Sequence, residues 1–162
     1  MLINLRSFLS IFDNIHNTII FLINLSMRVF ENNHLTIDYF SEKLYVKVVR
    51  LSSGELAEEA YKNLMLEWKE QIVYYKPLFQ LVNYLNYYRP IPSHMQAWLN
   101  DNLIRPAFEA GLKKVAFIIS RDLYVQVSLE QTMQEEAGKN LTVKYFDNEL
   151  DAEKWLFDNN KD

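Results

Sequence analysis

From residue 28 onward the hydrophobic positions of this chain alternate between a strand period and a helix period. Arg28 to Glu31 and Leu35 to Tyr39 are short strand-like pieces divided by Asn32-Asn33, a pair that tolerates positive φ and suits a turn. Leu44 to Val49 is β-branched and aromatic, and predicts a strand pairing with Thr36 to Phe40 through a turn near Ser41-Glu42. Ser52 or Ser53 offers an N-cap, with Glu55 in the first turn opposite the helix dipole. Ala57, Tyr61, Leu64, Trp68 and Ile72 then mark one face of a helix that Pro77 ends. Leu78 to Leu85 is a continuous apolar run suited to a buried central strand.

Arg89-Pro90-Ile91-Pro92 reads as a rigid loop, and Ser93 as the cap of a helix carrying Met95, Trp98, Leu99, Leu103 and Phe108 inward. Pro106 should kink or restart that helix, and Gly111 falls where a left-handed C-cap is wanted. Val115 to Ile119 is a second buried strand. Ser128-Leu129-Glu130-Gln131 has the capping-box pattern of a helix start, with Gly138 as its close. Leu141 to Phe146 alternates as a half-exposed strand, and Glu149 to Asp158 predicts a last helix burying Leu150, Ala152, Trp155 and Leu156. Trp68, Trp98 and Trp155 each anchor a different helix, which fits helices packing on a common sheet. The order implies an α/β fold, with a mixed sheet of about four to six strands flanked by about four helices.

The first 26 residues differ from the rest. Ile, Leu, Asn and Phe fill 18 of these positions, and Arg6 and Asp13 are the only charges. The longest apolar run, Ile19 to Ile23, is far short of the roughly 20 residues that span a bilayer. Residues 1–26 therefore read as an extension to a single domain over 27–162. Three origins stay open for it: a mis-assigned start with initiation at Met27, an amphipathic segment lying on the domain or a membrane surface, or a secretion or anchor signal. Membrane contact is expected only through this extension.

Composition narrows the chemistry. The chain has 162 residues, 49% of them hydrophobic, enough for one domain with a core. It has no cysteine, which removes disulfides, thiolate nucleophiles and iron–sulfur clusters, and fits a cytoplasmic protein. His16, His34 and His94 lack metal-site spacing, so neither a metal nor a cofactor is expected. A net charge of −4 without a clustered basic face argues against nucleic acid. There is no glycine-rich phosphate loop and no Gly-x-Ser-x-Gly elbow, and a non-enzymatic role is expected.

Gln96 to Asp101, Pro106 to Phe117, Asp122 to Ser128 and the closing Tyr145-Phe146-Asp147 before a Trp-bearing helix resemble SpoIIAA-like (STAS-type) small domains. The resemblance covers about Arg28 to Phe157 and rests on structural residues. It implies a sheet flanked by helices and a bacterial regulatory module that binds another protein. In anti-sigma-factor antagonists of this type, phosphorylation at the start of the helix after the central strand breaks partner binding. The matching region, Tyr84 to His94, lacks their Asp-Ser-Ser-like signature, and Ser93 is its one candidate phosphosite; a structural N-cap is the competing role. Divergent members are compared with lipid-carrying SEC14-like domains, which keeps a small apolar ligand open, with Phe79, Leu81, Phe117 and tyrosines lining a cavity.

The candidate interaction surface joins Tyr84, Tyr87, Tyr88, Arg89, Ser93 and His94 to the Ser120 to Tyr124 loop with Arg121 and Tyr124. Both segments come after buried strands, and open α/β sheets bind at the carboxyl ends of their strands. The tyrosine cluster, which also includes Tyr74 and Tyr75, has a core edge with hydroxyls reaching water as its competing and favoured reading. His94 beside Ser93 suggests a nucleophile and base, but adjacent helical residues do not face each other. Homodimerisation through an apolar helix face stays open.

Overall fold

The computed structural model describes residues 26–51, 56–120 and 123–158. Six strands form one sheet in sequential order: β1 (Met27–Glu31), β2 (Leu35–Phe40), β3 (Tyr45–Arg50), β4 (Phe79–Asn83), β5 (Lys114–Ile118) and β6 (Thr142–Phe146). β1, β2 and β3 pair antiparallel, and β3 to β6 pair parallel. The fold is thus α/β with a mixed sheet. The expected pairing of Thr36 to Phe40 with the next strand holds, with Thr36 opposite Val49 and Phe40 opposite Tyr45. A 3₁₀ turn at Ser41–Lys43 makes the reversal, and Leu44 takes a left-handed conformation at φ 45°.

Each parallel step needs a crossover. These are α1 (Glu58–Tyr75), an interrupted helix made of α2 (Ser93–Leu99), a π turn (Asn100–Ile104) and α3 (Arg105–Glu109), and then α4 (Leu123–Met133). Successive right-handed crossovers between neighbouring strands put their helices on one face of the sheet. The larger core accordingly joins Leu64, Trp68, Ile72, Leu99, Ala107 and Leu129 to Leu35, Ile37, Val46, Val48, Val82, Val115 and Phe117. The last helix, α5 (Glu149–Phe157), follows β6 and covers the other face over β4 to β6. There Ala152 and Leu156 pack with Tyr45, Leu81, Ala116 and Ile118. Leu81, fully buried in β4, contributes about 1.5–3 kcal/mol by burial alone.

Several sequence expectations need correction. α1 starts at Glu58 with Ala57 in the cap position, while Ser52, Ser53 and Glu55 lie outside the described residues. Ser93 is not a cap: Pro92 holds that position and Ser93 is the first helical residue. Ser128 does not open α4, which begins at Leu123. Ser128 lies buried inside it and donates to the Val125 carbonyl at 2.9 Å. Gly138 opens a 3₁₀ turn rather than closing the helix, and a Cβ there would meet the Met133 carbonyl oxygen at 2.5 Å.

The restart at Pro106 is present, and its form corrects the inward face. Proline has no N–H to donate and its ring crowds the carbonyl four residues back, so the helix widens to a π turn just before it. The extra residue rotates every later helical position. Ile104 and Ala107 turn inward, and Phe108 is exposed. Leu150, expected inside, is also exposed. Gly111 has the positive φ expected of it, 112°.

Candidate functional site

β3 ends in an unusual residue for a core. Strand alternation puts Val46, Val48 and Arg50 on the helix-bearing face, so an arginine takes the third inward position. Arg50 is only 1% exposed, and its Nε and Nη1 have no hydrogen-bond partner among the described residues. Aromatic rings hold it instead. Its guanidinium carbon lies 4.4 Å from the Tyr87 ring centre and 5.7 Å from that of Tyr61.

The loop after β4 brings Tyr87 there. Asn83 Oδ1 accepts from the Leu85 amide at 2.9 Å, Tyr84 N donates to Ile118 O at 2.8 Å, and Tyr87 N donates to Tyr84 O at 2.9 Å. This turn buries Tyr84 and Tyr87 with their rings edge to face at 5.3 Å. Burial raises the Tyr84 hydroxyl to about 12, a rise that Arg50 moderates and Tyr87 adds to. Burial also raises the Tyr61 hydroxyl well above its ordinary value, with further contributions from Tyr84 and Tyr87 and an opposing one from Arg50. Both phenols are therefore neutral donors at physiological pH.

Above Arg50 opens a cavity of about 290 Å3 between the carboxyl ends of β3 and β4 and the first turns of α1 and α2. Tyr61 and Tyr87 wall it, with Leu56, Ile91 and Met95 as apolar lining. Arg89, Glu58 and His94 stand around it. His94 Nε2 lies 3.1 Å from Glu58 Oε2, and Lys62 Nζ donates to Glu58 Oε1 at 2.6 Å. Lys62 first and His94 second hold the Glu58 carboxyl below its ordinary value.

The predicted surface residues divide into groups. Tyr84 and Tyr87 are buried beside Arg50, Arg89 and His94 line the cavity, and Ser93 is exposed next to His94. Tyr88 is exposed on the loop after β4, and Tyr124 in the first turn of α4 after β5. Arg121 lies outside the described residues. Tyr74 and Tyr75 leave the cluster altogether, since they end α1, where Tyr75 meets Tyr39 at 4.7 Å. His94 faces Glu58 rather than its neighbour Ser93.

Arg50 escaped the sequence reading, although a signal was present: a charge at i+4 from Val46 in a strand whose i and i+2 positions are apolar.

The lining expected for an apolar ligand is divided between the two faces of the sheet. The space between the sheet and helices α1 to α4 is about 50 Å3, lined by residues such as Met65, Trp68, Leu99 and Leu129. Phe79 and Leu81 pack on the α5 side, and Phe117 on the opposite side, so they line no common cavity. Among the described residues no helix is long and apolar enough to cross a membrane, and no three His, Asp or Glu side chains are placed to hold a metal ion.

These features define a class of protein: an α/β domain whose mixed sheet carries a cavity and exposed aromatic residues at one end. In comparisons with known proteins the chain matches no family model, no curated protein and no solved structure.

Proposed function

We propose that this chain is a non-enzymatic, STAS-like interaction module that binds another protein through the carboxyl end of its sheet. One observation carries the reading. Tyr88, 55% exposed, and Leu85 come after β4, while Leu123, 71% exposed, and Tyr124, 80% exposed, come after β5. The Tyr84-to-Ile118 hydrogen bond ties the ends of these neighbouring strands together, so the four side chains share one end of the domain. Exposed aromatic and aliphatic groups gathered in this way suit a protein interface. The carboxyl end is also where α/β sheets bind their partners. Ser93 borders the same end, and a phosphate there would add negative charge beside His94 and Glu58.

A photo-crosslinking residue placed at Tyr88 or Tyr124 in the native host tests this, with Tyr74, exposed at the opposite end, as the control. The expected result is one discrete protein adduct from Tyr88 and Tyr124, absent from Tyr74 and lost with Leu123→Asp. Adducts that are equal at all three positions, or absent at Tyr88 and Tyr124, would overturn it. A Ser93→Asp variant with unchanged adducts would remove Ser93 from the regulation.

A further inference from the structure

We infer that the cavity above Arg50 is a binding site for a small organic monocarboxylate, whose carboxylate meets the Arg50 guanidinium and whose apolar body lies between Tyr61 and Tyr87. The inference goes beyond protein binding and stands whether or not a protein docks at Tyr88 and Tyr124.

The first support is a contrast within the core. Gln80 accepts from Trp68 Nε1 at 3.3 Å, Gln96 donates to Ile91 O at 3.0 Å, and Asn100 accepts from the Ala137 amide at 2.8 Å. Ser128 and Thr132 donate to backbone carbonyls of their own helix. These buried side chains with weaker hydrogen-bonding demands find partners within the chain, while Nε and Nη1 of the buried Arg50 find none among the described residues. Burying a cation with no counter-charge among the described residues is costly, and ring contacts with Tyr87 and Tyr61 leave N–H donors unused. The missing partner is an acceptor, and an anionic one compensates the charge.

The surroundings select the anion. Arg50 is the cation at the core side of the cavity, and the Tyr61 and Tyr84 phenols near it are neutral, so one negative charge balances the floor. Arg89 and Glu58 at the rim carry opposite charges, so a phosphate dianion would leave one charge in excess of Arg50. Guanidinium geometry matches a planar carboxylate. Leu56, Ile91 and Met95 supply an apolar lining that inorganic anions do not use. A cavity of about 290 Å3 is at the small end of ligand sites.

The test titrates isotopically labelled full-length protein with phenylacetate, benzoate and hexanoate. Phenylacetamide serves as the uncharged analogue and inorganic phosphate as the competing anion. NMR reads the Arg50 Nε–H and the amides of Tyr61, Tyr87 and Met95. The expected result is saturable shifts with at least one carboxylate, and affinity weaker by about tenfold or more for phenylacetamide and for phosphate. Arg50→Met should abolish the shifts at Tyr61 and Tyr87, while Tyr74→Phe leaves them intact. Arg50→Lys, which keeps the charge but loses the planar fork, should also bind more weakly than wild type. No saturable carboxylate binding to wild type, equal binding of phenylacetamide, preference for phosphate, or undiminished binding by a folded Arg50 variant would each overturn the inference.

Discussion

Two regions of the helix-bearing core bury polar side chains in opposite ways. In the seam between α2, the π turn and α4, Gln96 donates to the Ile91 carbonyl and to Gln131, and Asn100 Oδ1 accepts from the Ala137 amide. At the mouth, where β3 and β4 end, Arg50 lies between Tyr61 and Tyr87 with Nε and Nη1 unpaired among the described residues. Polar groups in the seam hold loops and helices in register, and the chain satisfies them itself. The mouth keeps a stronger donor unsatisfied next to open space, as expected of a place prepared for something outside the chain.

The largest effect that probes this contrast comes from alkali acting on the mouth. Tyr84 in the folded protein is raised to about 12, from 10.0 for an ordinary phenol. Its neutral form is favoured by folding, so its contribution is fully present below pH 10.0 and is lost as pH rises through about 12. The loss is about 3 kcal/mol, at about 1.4 kcal/mol per pH unit. Denaturation midpoints measured across that window should fall steeply in wild type and less steeply in Tyr84→Phe. Identical slopes would mean that the phenol is not held neutral by burial.

In the seam, Asn100→Leu leaves the buried Ala137 N–H without its acceptor and should cost about 1–3 kcal/mol. Chemical denaturation at neutral pH reads this directly, and an unchanged midpoint would remove the seam from the comparison. Phe108→Ser should cost about 1 kcal/mol, well short of the roughly 3–5 kcal/mol of a fully buried Phe, because the π turn has left the side chain 40% exposed. A loss of core size would restore the unbroken helix that the spacing suggests. The smallest effect is at the rim. Glu58 is held below its ordinary 4.5 by Lys62 and then His94, so any stabilisation is present above that pH and fades as pH falls through the lower folded value. Glu58→Gln should therefore differ from wild type near neutrality and converge with it in acid, as followed by thermal unfolding.

Much of the fold was legible because its elements carry strong patterns. Tyr45 to Val49 is β-branched and aromatic, Leu64, Trp68 and Ile72 share a helix face, and Gly111 marks its turn by needing positive φ. The start of α4 was obscured because Val125 and Val127 weaken a helical reading, while the polar pattern from Ser128 imitates a cap. Phe108 was misplaced because one residue inserted by the π turn changes every later facing position. Tyr84, Tyr87, Arg89 and His94 were found as a loop after a buried strand. The group that organises them was not, since Arg50 closes a strand some thirty residues earlier in the sequence, and only the parallel pairing of β3 with β4 brings it alongside.

The distinction between seam and mouth is tested most directly by replacing Arg50 with methionine and measuring the denaturant midpoint of the ligand-free protein. If the guanidinium serves an outside partner, removing a buried, unpaired charge leaves the midpoint unchanged or raises it, in contrast to Asn100→Leu. If Arg50→Met instead lowers stability by about as much as Asn100→Leu, roughly 1–3 kcal/mol, then Arg50 supports the fold as the seam residues do, and the mouth is not a prepared site.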